Sequence, residues 1–342
     1  MMKRKLLVLL IIIIIGISFW RTQSIFGPRL EKQCRMLMDT YVTVYAYGKK
    51  PAVTEAIDQA YQRMKEVSEK FNAHDLKSPI YAFNHSGVPI RDEEILELVR
   101  IALEISQRTE GAYDITVFPL VKLWGFYGQN PELLPAPDKI NQALSSVGYK
   151  HLRLTERELT KDQKNIFIDL ASLAKGYVVG QGIEALRESG VSSAIIQAGG
   201  DIYALGDNKG KPWGIGLRDP RKEGLLGYVQ ITDQAVMGSG NYERFFIKEG
   251  KRYNHIIDPQ TGYPAEQASG VTVIYADPVL ADAWATALSV TGPAGLKIIE
   301  TIPGMEAVMV TGSDKILYTA GLKRLLKATS GKKRDLIVAR VL

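Results

Sequence analysis

The chain has 342 residues, 46% of them apolar and 23% charged, with a formal net charge of +6, which is ordinary for a packed globular protein of one large or two smaller domains. Lysines and arginines are scattered, with no basic stripe interleaved with aromatics, so nucleic acid is not a partner. A single cysteine, Cys34, excludes a disulfide framework and a cysteine zinc site, and only four histidines argue against an all-imidazole site, so a metal, if there is one, should be held by oxygen.

Residues 1–26 read as a targeting segment: Lys3-Arg4-Lys5, then an apolar run from Leu6 to Trp20. The run is short for a comfortable span but no small-residue cleavage site follows it. Two readings stand, an uncleaved membrane anchor with the remainder extracytoplasmic, and a cleaved secretion signal. Met38 to Ala46 alternates with period two and predicts a strand. Val53 to Phe71 carries apolar residues on one helical stripe, and Asp92 to Thr109 does the same. The intervening Phe71–Asn84 stretch is rich in turn formers and reads as a loop.

Gly111 to Phe126 is a glycine turn followed by an aromatic-rich run, and Gln129 to Asp138 is a proline-rich loop. A short helix is expected over Pro137–Val147, then a hairpin with arms at His151–Leu154 and Asn165–Ile168. A helix starts near Asp169 and runs toward Ser189. Its first turn offers free N–H groups and a partial positive charge, a setting that suits a pyrophosphate, with Lys175 adding a point charge. Gly176, Gly180 and Gly182 each cost about 1 kcal/mol relative to Ala inside a helix, which points to close packing there. Val191 to Leu205 predicts two short strands around Gly199-Gly200, and Trp213–Leu217 and Gly227–Thr232 two more.

His255-Ile256-Ile257 is a short apolar run ending in the turn Asp258–Gly262, and Val271–Tyr275 predicts a strand. Asp277 then caps a helix with Pro278 at its first position. In that helix Asp282 and Thr286 lie four apart on one face in apolar company. Either the pair is a local hydrogen-bonded feature or it serves a hard cation, which takes carboxylate and hydroxyl oxygens. A helix around Ala294–Thr301, a hairpin over Glu306–Tyr318 and a basic tail over 326–342 complete the chain. Without regular β-α-β alternation, the fold class is α+β with a largely antiparallel sheet and packed helices.

Several of these runs together resemble the flavin transferases of the ApbE family, the FAD:protein FMN transferases. They are His255-x-x-Asp258-Pro259-x-Thr261-Gly262-x-Pro264 with Ala281-Asp282-x-x-x-Thr286, Gly111-x-Tyr113-Asp114-x-Thr116 through Trp124-Gly125-Phe126, Asp169 through Lys175-Gly176-Tyr177, and Gly199-Gly200-Asp201. The resemblance covers residues 36–325 as one catalytic unit. It implies an Mg²⁺ held by the Ser172 carbonyl, Asp282 and Thr286. It also implies FAD contacts at Met38, Asn72, His74, Ala112, Tyr113, Asp114, Asp169, Lys175 and Ile257. The loop at Asn72–Pro79 departs from the family pattern, so Asn72 and His74 are equally read as surface positions. Tyr113 beside Asp114 suits a flat ring with polar edges. His255 is the candidate base, since an ordinary imidazole titrates near neutral pH.

The implied reaction moves FMN from FAD to a Ser or Thr hydroxyl of an exported or membrane protein and releases AMP. No Ser/Thr-Gly-Ala-Thr acceptor tetrapeptide occurs in this chain, so the acceptor is a separate molecule. Two alternatives remain at this level: an Mg²⁺-dependent FAD pyrophosphatase with water as acceptor, and a membrane-tethered flavin carrier without catalysis.

Overall fold

In a computed structural model, the structure describes residues 28–128, 134–327 and 337–339. The targeting segment and part of the proline-rich loop lie outside the described residues, as does most of the basic tail. Among the described residues no helix is long and apolar enough to cross a membrane.

The chain opens with β1 (Arg29–Leu37) and β2 (Thr40–Gly48), an antiparallel hairpin. The expected first strand therefore begins two residues late, because Met38 and Asp39 both adopt positive φ and form its turn. Three helices come after it: α1 (Ala52–Lys70), α2 (Pro79–Ser86) and α3 (Glu93–Arg108). Helix α2 replaces part of the expected Phe71–Asn84 loop; the Ser78 side chain accepts from the Tyr81 amide and Pro79 occupies its first turn. Asp92 caps α3 by accepting from the Glu94 and Ile95 amides.

The short α4 (Phe118–Leu123) and α5 (Pro137–Leu144) precede a small hairpin, β3 (Leu152–Leu154) with β4 (Leu159–Lys161). The second arm is thus Leu159–Lys161 rather than Asn165–Ile168. The latter stretch is held by a side chain instead of a strand: Asn84 of α2 accepts from the Ile168 amide at 2.8 Å and donates to its carbonyl at 2.9 Å. This clamp aims the chain into α6 (Ala171–Glu188).

Strands β5 (Ala194–Ala198), β6 (Asp201–Leu205), β7 (Trp213–Arg218), β8 (Leu225–Ile231) and β9 (Gln234–Gly240) come next. After them are the hairpin β10 (Phe245–Lys248) with β11 (Lys251–Asn254), then β12 (Ala268–Tyr275). The chain continues through α7 (Pro278–Thr291), α8 (Pro293–Ile299), β13 (Glu306–Thr311), β14 (Ile316–Tyr318) and α9 (Ala320–Leu325). A last strand, β15 (Ile337–Ala339), pairs in parallel with β7, so the expected basic tail returns to the fold there.

The main sheet has eight strands in the order β1-β2-β5-β6-β9-β12-β13-β14, and every neighbouring pair is antiparallel. The α+β, largely antiparallel architecture is thereby borne out. Both faces of its centre are covered. Ile196, Met237, Val273 and Met309 join α1, α3, α6 and α7 in one core, while Ile195, Ile202, Val236, Ile274 and Val308 pack toward β7 and β8 in a second. The period-two side-chain alternation of strands separates these two sets.

Candidate active site

A cleft of about 210 Å³ opens where the first turn of α6, the face of α7, the end of β9 and the chain leaving β11 meet. Its walls include Ala112, Tyr113, Asp114, Asp169, Ser172, Lys175, His255, Ile257, Asp282 and Thr286. Ten of the expected site residues, drawn from separate parts of the chain, therefore share one cavity.

Helices α6 and α7 set its depth. A Cβ built on Gly176 would stand 2.2 Å from the Pro278 carbonyl oxygen and 2.9 Å from the Asp282 Cβ, so only glycine permits this crossing. The approach lets the Gly176 amide donate to Asp282 Oδ2 at 2.8 Å. In an α-helix that amide is the partner of the carbonyl four residues earlier, Ser172. Asp282 thus competes for the donor that would saturate the Ser172 carbonyl. The Ser172 hydroxyl is already engaged with the Tyr113 hydroxyl at 2.8 Å, so the oxygen Ser172 has to offer is its carbonyl.

Asp282 is 4% exposed. Burial drives its carboxyl above the ordinary range, and Asp201 and Glu243 push the same way, against the ammonium of Lys175. Lys175 is ion-paired to Asp201, whose other oxygen accepts from the Gly238 amide at 2.7 Å. Burial works against the Lys175 charge, but Asp201, Glu243 and Asp282 together overcome it and hold the ammonium above its usual value. Lys175 is therefore not the isolated point charge that its place in the helix suggested. Among the described residues one Glu243 carboxyl oxygen has no hydrogen-bond partner, and burial raises its carboxyl to about 7.

His255 donates its own amide to the Arg244 carbonyl at 3.1 Å, and its Nδ1 lies 3.3 Å from the same oxygen. A carbonyl only accepts, so Nδ1 carries the proton and Nε2 keeps a lone pair. Burial and the neighbouring Arg244 guanidinium lower the ring to about 4, so it is neutral at pH 7.

Other expected contacts have different duties. The Tyr113 ring is 2% exposed and its hydroxyl holds Ser172, so it props the α6 turn rather than offering a stacking face. Both Asp114 oxygens are occupied, by the Thr116 amide and hydroxyl and by the Tyr149 amide. Asp169 caps the Ala171 amide and accepts from the Tyr127 hydroxyl. Met38, Asn72 and His74 do not line the cleft. Met38 is in the β1–β2 turn, the Asn72 side chain accepts from the His74 amide, and His74 packs against Phe118 and Tyr127 behind the cleft wall.

Four residues with no expected role also shape the site: Tyr127, Asp201, Glu243 and Arg244. Asp201 directly follows the Gly199-Gly200 pair, and Glu243-Arg244 lie just beyond the Gly238-Ser239-Gly240 run, so proximity to those glycines was the available signal. Among the described residues no three His, Cys, Asp or Glu side chains group as a metal site. One carboxylate, one hydroxyl and one carbonyl suit a hard cation that keeps several waters, and the excess of buried negative charge suits a divalent one.

The architecture and cleft define an α+β protein with one buried, carboxylate-rich cleft where the α6 and α7 helices cross. Residues 38–309 match the ApbE family, and the chain belongs to it. An FAD:protein FMN transferase of Klebsiella pneumoniae is 31% identical over 288 residues, covering 80% of this chain and 82% of that protein. The ApbE protein of Thermotoga maritima superposes with a TM-score of 0.81 at 30% identity, covering 87% of this chain and all of that one. The flavin transferase ApbE of Vibrio cholerae gives 0.80 at 28% identity, covering 88% of this chain and all of that one.

Proposed function

We propose that the protein is an FAD:protein FMN transferase that uses Mg²⁺ and releases AMP. The observation that carries the reading is the convergence of Ser172, Asp282, Thr286 and His255 on one cleft. The acceptor hydroxyl oxygen bonds to the FMN phosphorus of FAD, the bond from that phosphorus to the AMP oxygen breaks, and AMP departs. His255 Nε2 takes the hydroxyl proton. The Ser172 carbonyl, Asp282 and Thr286 are the groups that would hold a divalent cation, which when bound would neutralise charge on the pyrophosphate. Tyr113 fixes the α6 turn through Ser172, and Gly176 fixes Asp282. The low basicity of His255 in the free protein comes largely from its burial beside Arg244, and a bound pyrophosphate offsets that guanidinium.

Incubation with FAD, Mg²⁺ and a peptide carrying Ser-Gly-Ala-Thr tests the assignment. Covalent flavin fluorescence on the peptide is expected; FMN and AMP with an unmodified peptide would instead establish a pyrophosphatase. The residue 1–26 segment fits an anchor that leaves the catalytic unit outside the cytoplasm, acting on exported or membrane proteins. Loss of the domain to external protease in intact spheroplasts checks that placement.

A further inference from the structure

The β10–β11 hairpin forms a two-stranded sheet of its own. One face is anchored: Phe246 and Tyr253 stack at 5.2 Å, Tyr253 stacks on Trp124 at 5.5 Å, and Phe246 lies 5.7 Å from Phe126. Of the residues alternating with these, Phe245, Ile247 and Arg252 face outward, while Asn254 is buried and donates to the Ala265 carbonyl. Phe245 is 41% exposed and Ile247 63% exposed, and Arg252, the register partner of Ile247, lays its guanidinium 4.4 Å from the Phe245 ring. Large apolar side chains side by side on a short exposed strand are a surface that natural proteins reserve for a partner.

The hairpin is continuous with the reaction centre. Its strands emerge from Arg244 and His255, both of which line the cleft. Ile247 is three residues beyond Arg244, about 10 Å at strand spacing. Of the charged residues of the strands, Arg252 stands on this outer face; Lys248 and Lys251 alternate onto the anchored face, where Lys251 pairs with Glu266 at 2.7 Å.

We propose that the outer face of this hairpin is the docking platform for the acceptor protein. The occupant is an extended segment whose apolar side chain lies on Phe245 and Ile247, with an acidic residue against Arg252, while its hydroxyl residue, a few positions along, reaches His255. The inference rests on the transferase reading for the identity of the occupant. It adds where that occupant binds and what it must carry.

The test uses the whole protein and a fluorescein-labelled peptide with aspartates and a leucine beside Ser-Gly-Ala-Thr. Anisotropy gives its affinity, independently of any transfer. The Phe245→Ser/Ile247→Ser double variant and, separately, Arg252→Glu are expected to bind it about tenfold or more weakly. The KM for FAD and the slow release of FMN to water should stay at wild-type values. Unaltered peptide affinity in both variants overturns the proposal. So does hairpin-dependent self-association without peptide affinity, which would assign the face to a second copy of the chain. Peptide that binds through the hairpin but never acquires flavin would strike the transferase reading and leave the docking assignment standing.

Discussion

Gly176→Ala isolates the contact on which the cleft is built. The new Cβ would meet the Pro278 carbonyl oxygen at 2.2 Å and its carbon at 2.7 Å, and backbone atoms cannot swing aside. Relief to ordinary contact requires α6 and α7 to part by about 1 Å, and overpacking of this kind costs about 1–3 kcal/mol. The same movement stretches the 2.8 Å bond from the Gly176 amide to Asp282 beyond hydrogen-bonding range. A bond to a charged, buried acceptor is worth about 1.5–3 kcal/mol. The helix-propensity gain of Ala over Gly returns about 1 kcal/mol. The net loss is about 1.5–5 kcal/mol, or about 2–8 °C in melting temperature for a protein of this length. Gly180→Ala is the control, because its Cβ meets only the Pro278 Cγ, at 3.0 Å. Thermal unfolding of both variants, with Mg²⁺-dependent transfer measured in parallel, decides the matter. A Gly176→Ala protein that melts within about 1 °C of wild type and transfers normally would show that the α6–α7 crossing tolerates a side chain there, as would equal damage from Gly180→Ala.

Asp282→Asn should abolish transfer and also the rise in melting temperature that saturating Mg²⁺ gives the wild type, about 2.7 kcal/mol at a hundredfold excess over Kd; a persisting rise counts against the metal assignment. His255→Asn should slow transfer by about 10²–10⁴ with FAD affinity kept, read by single-turnover kinetics and flavin fluorescence quenching. The same ring sets an acid limb. Its pKa falls from 6.5 unfolded to about 4 folded, so its stabilising contribution is complete above 6.5 and disappears as pH drops through 4; metal-free His255→Asn should lose less melting temperature than wild type across that window. Glu243 has the opposite sign: raised from 4.5 to about 7, it contributes below 4.5 and ceases to as pH rises through 7, so metal-free Glu243→Gln should gain on wild type as pH rises across that window.

Where a local signal existed, the elements were legible in the sequence. Asp92 and the Asp277-Pro278 pair mark the starts of α3 and α7, and apolar periodicity carries α1 and α3 to their ends. Helix α2 was not legible, because Ser78-Pro79 is as much a turn as a cap and the helix it starts spans only eight residues, too few for a periodic stripe. Neither was the clamp at Ile168, since nothing local announces that Asn84 will take the place of a strand. The site divides in the same way. Helical spacing placed Asp282 and Thr286 on one face, whereas the Lys175–Asp201 pair joins a helix to a strand and exists only once the sheet has formed. The roles of Tyr113 and Asp114 were hidden for a further reason. Their partners, Ser172 and Tyr149, are distant in sequence, and a buried hydroxyl or carboxylate that supports a site has the same composition as one that touches a ligand.

The charge balance of the cleft connects these parts. Asp201, Glu243 and Asp282 all act on the single ammonium of Lys175. Fully ionised, these three carboxylates outnumber the Lys175 ammonium and the Arg244 guanidinium that acts on Glu243, in a setting where burial penalises every unpaired charge. Lys175 and Asp201 settle their share as an ion pair. The remainder falls on Glu243 and Asp282, whose carboxyls burial first, and the neighbouring carboxylates second, push toward their protonated forms. A bound divalent cation would offset that negative charge and displace those protons, so metal affinity and proton affinity would oppose each other here. FAD arriving first would add a pyrophosphate's negative charge to a site already in excess. The physically consistent order places the cation before or with the dinucleotide, and the Gly176 amide, by holding Asp282 in position beforehand, removes part of the ordering that such binding would otherwise require.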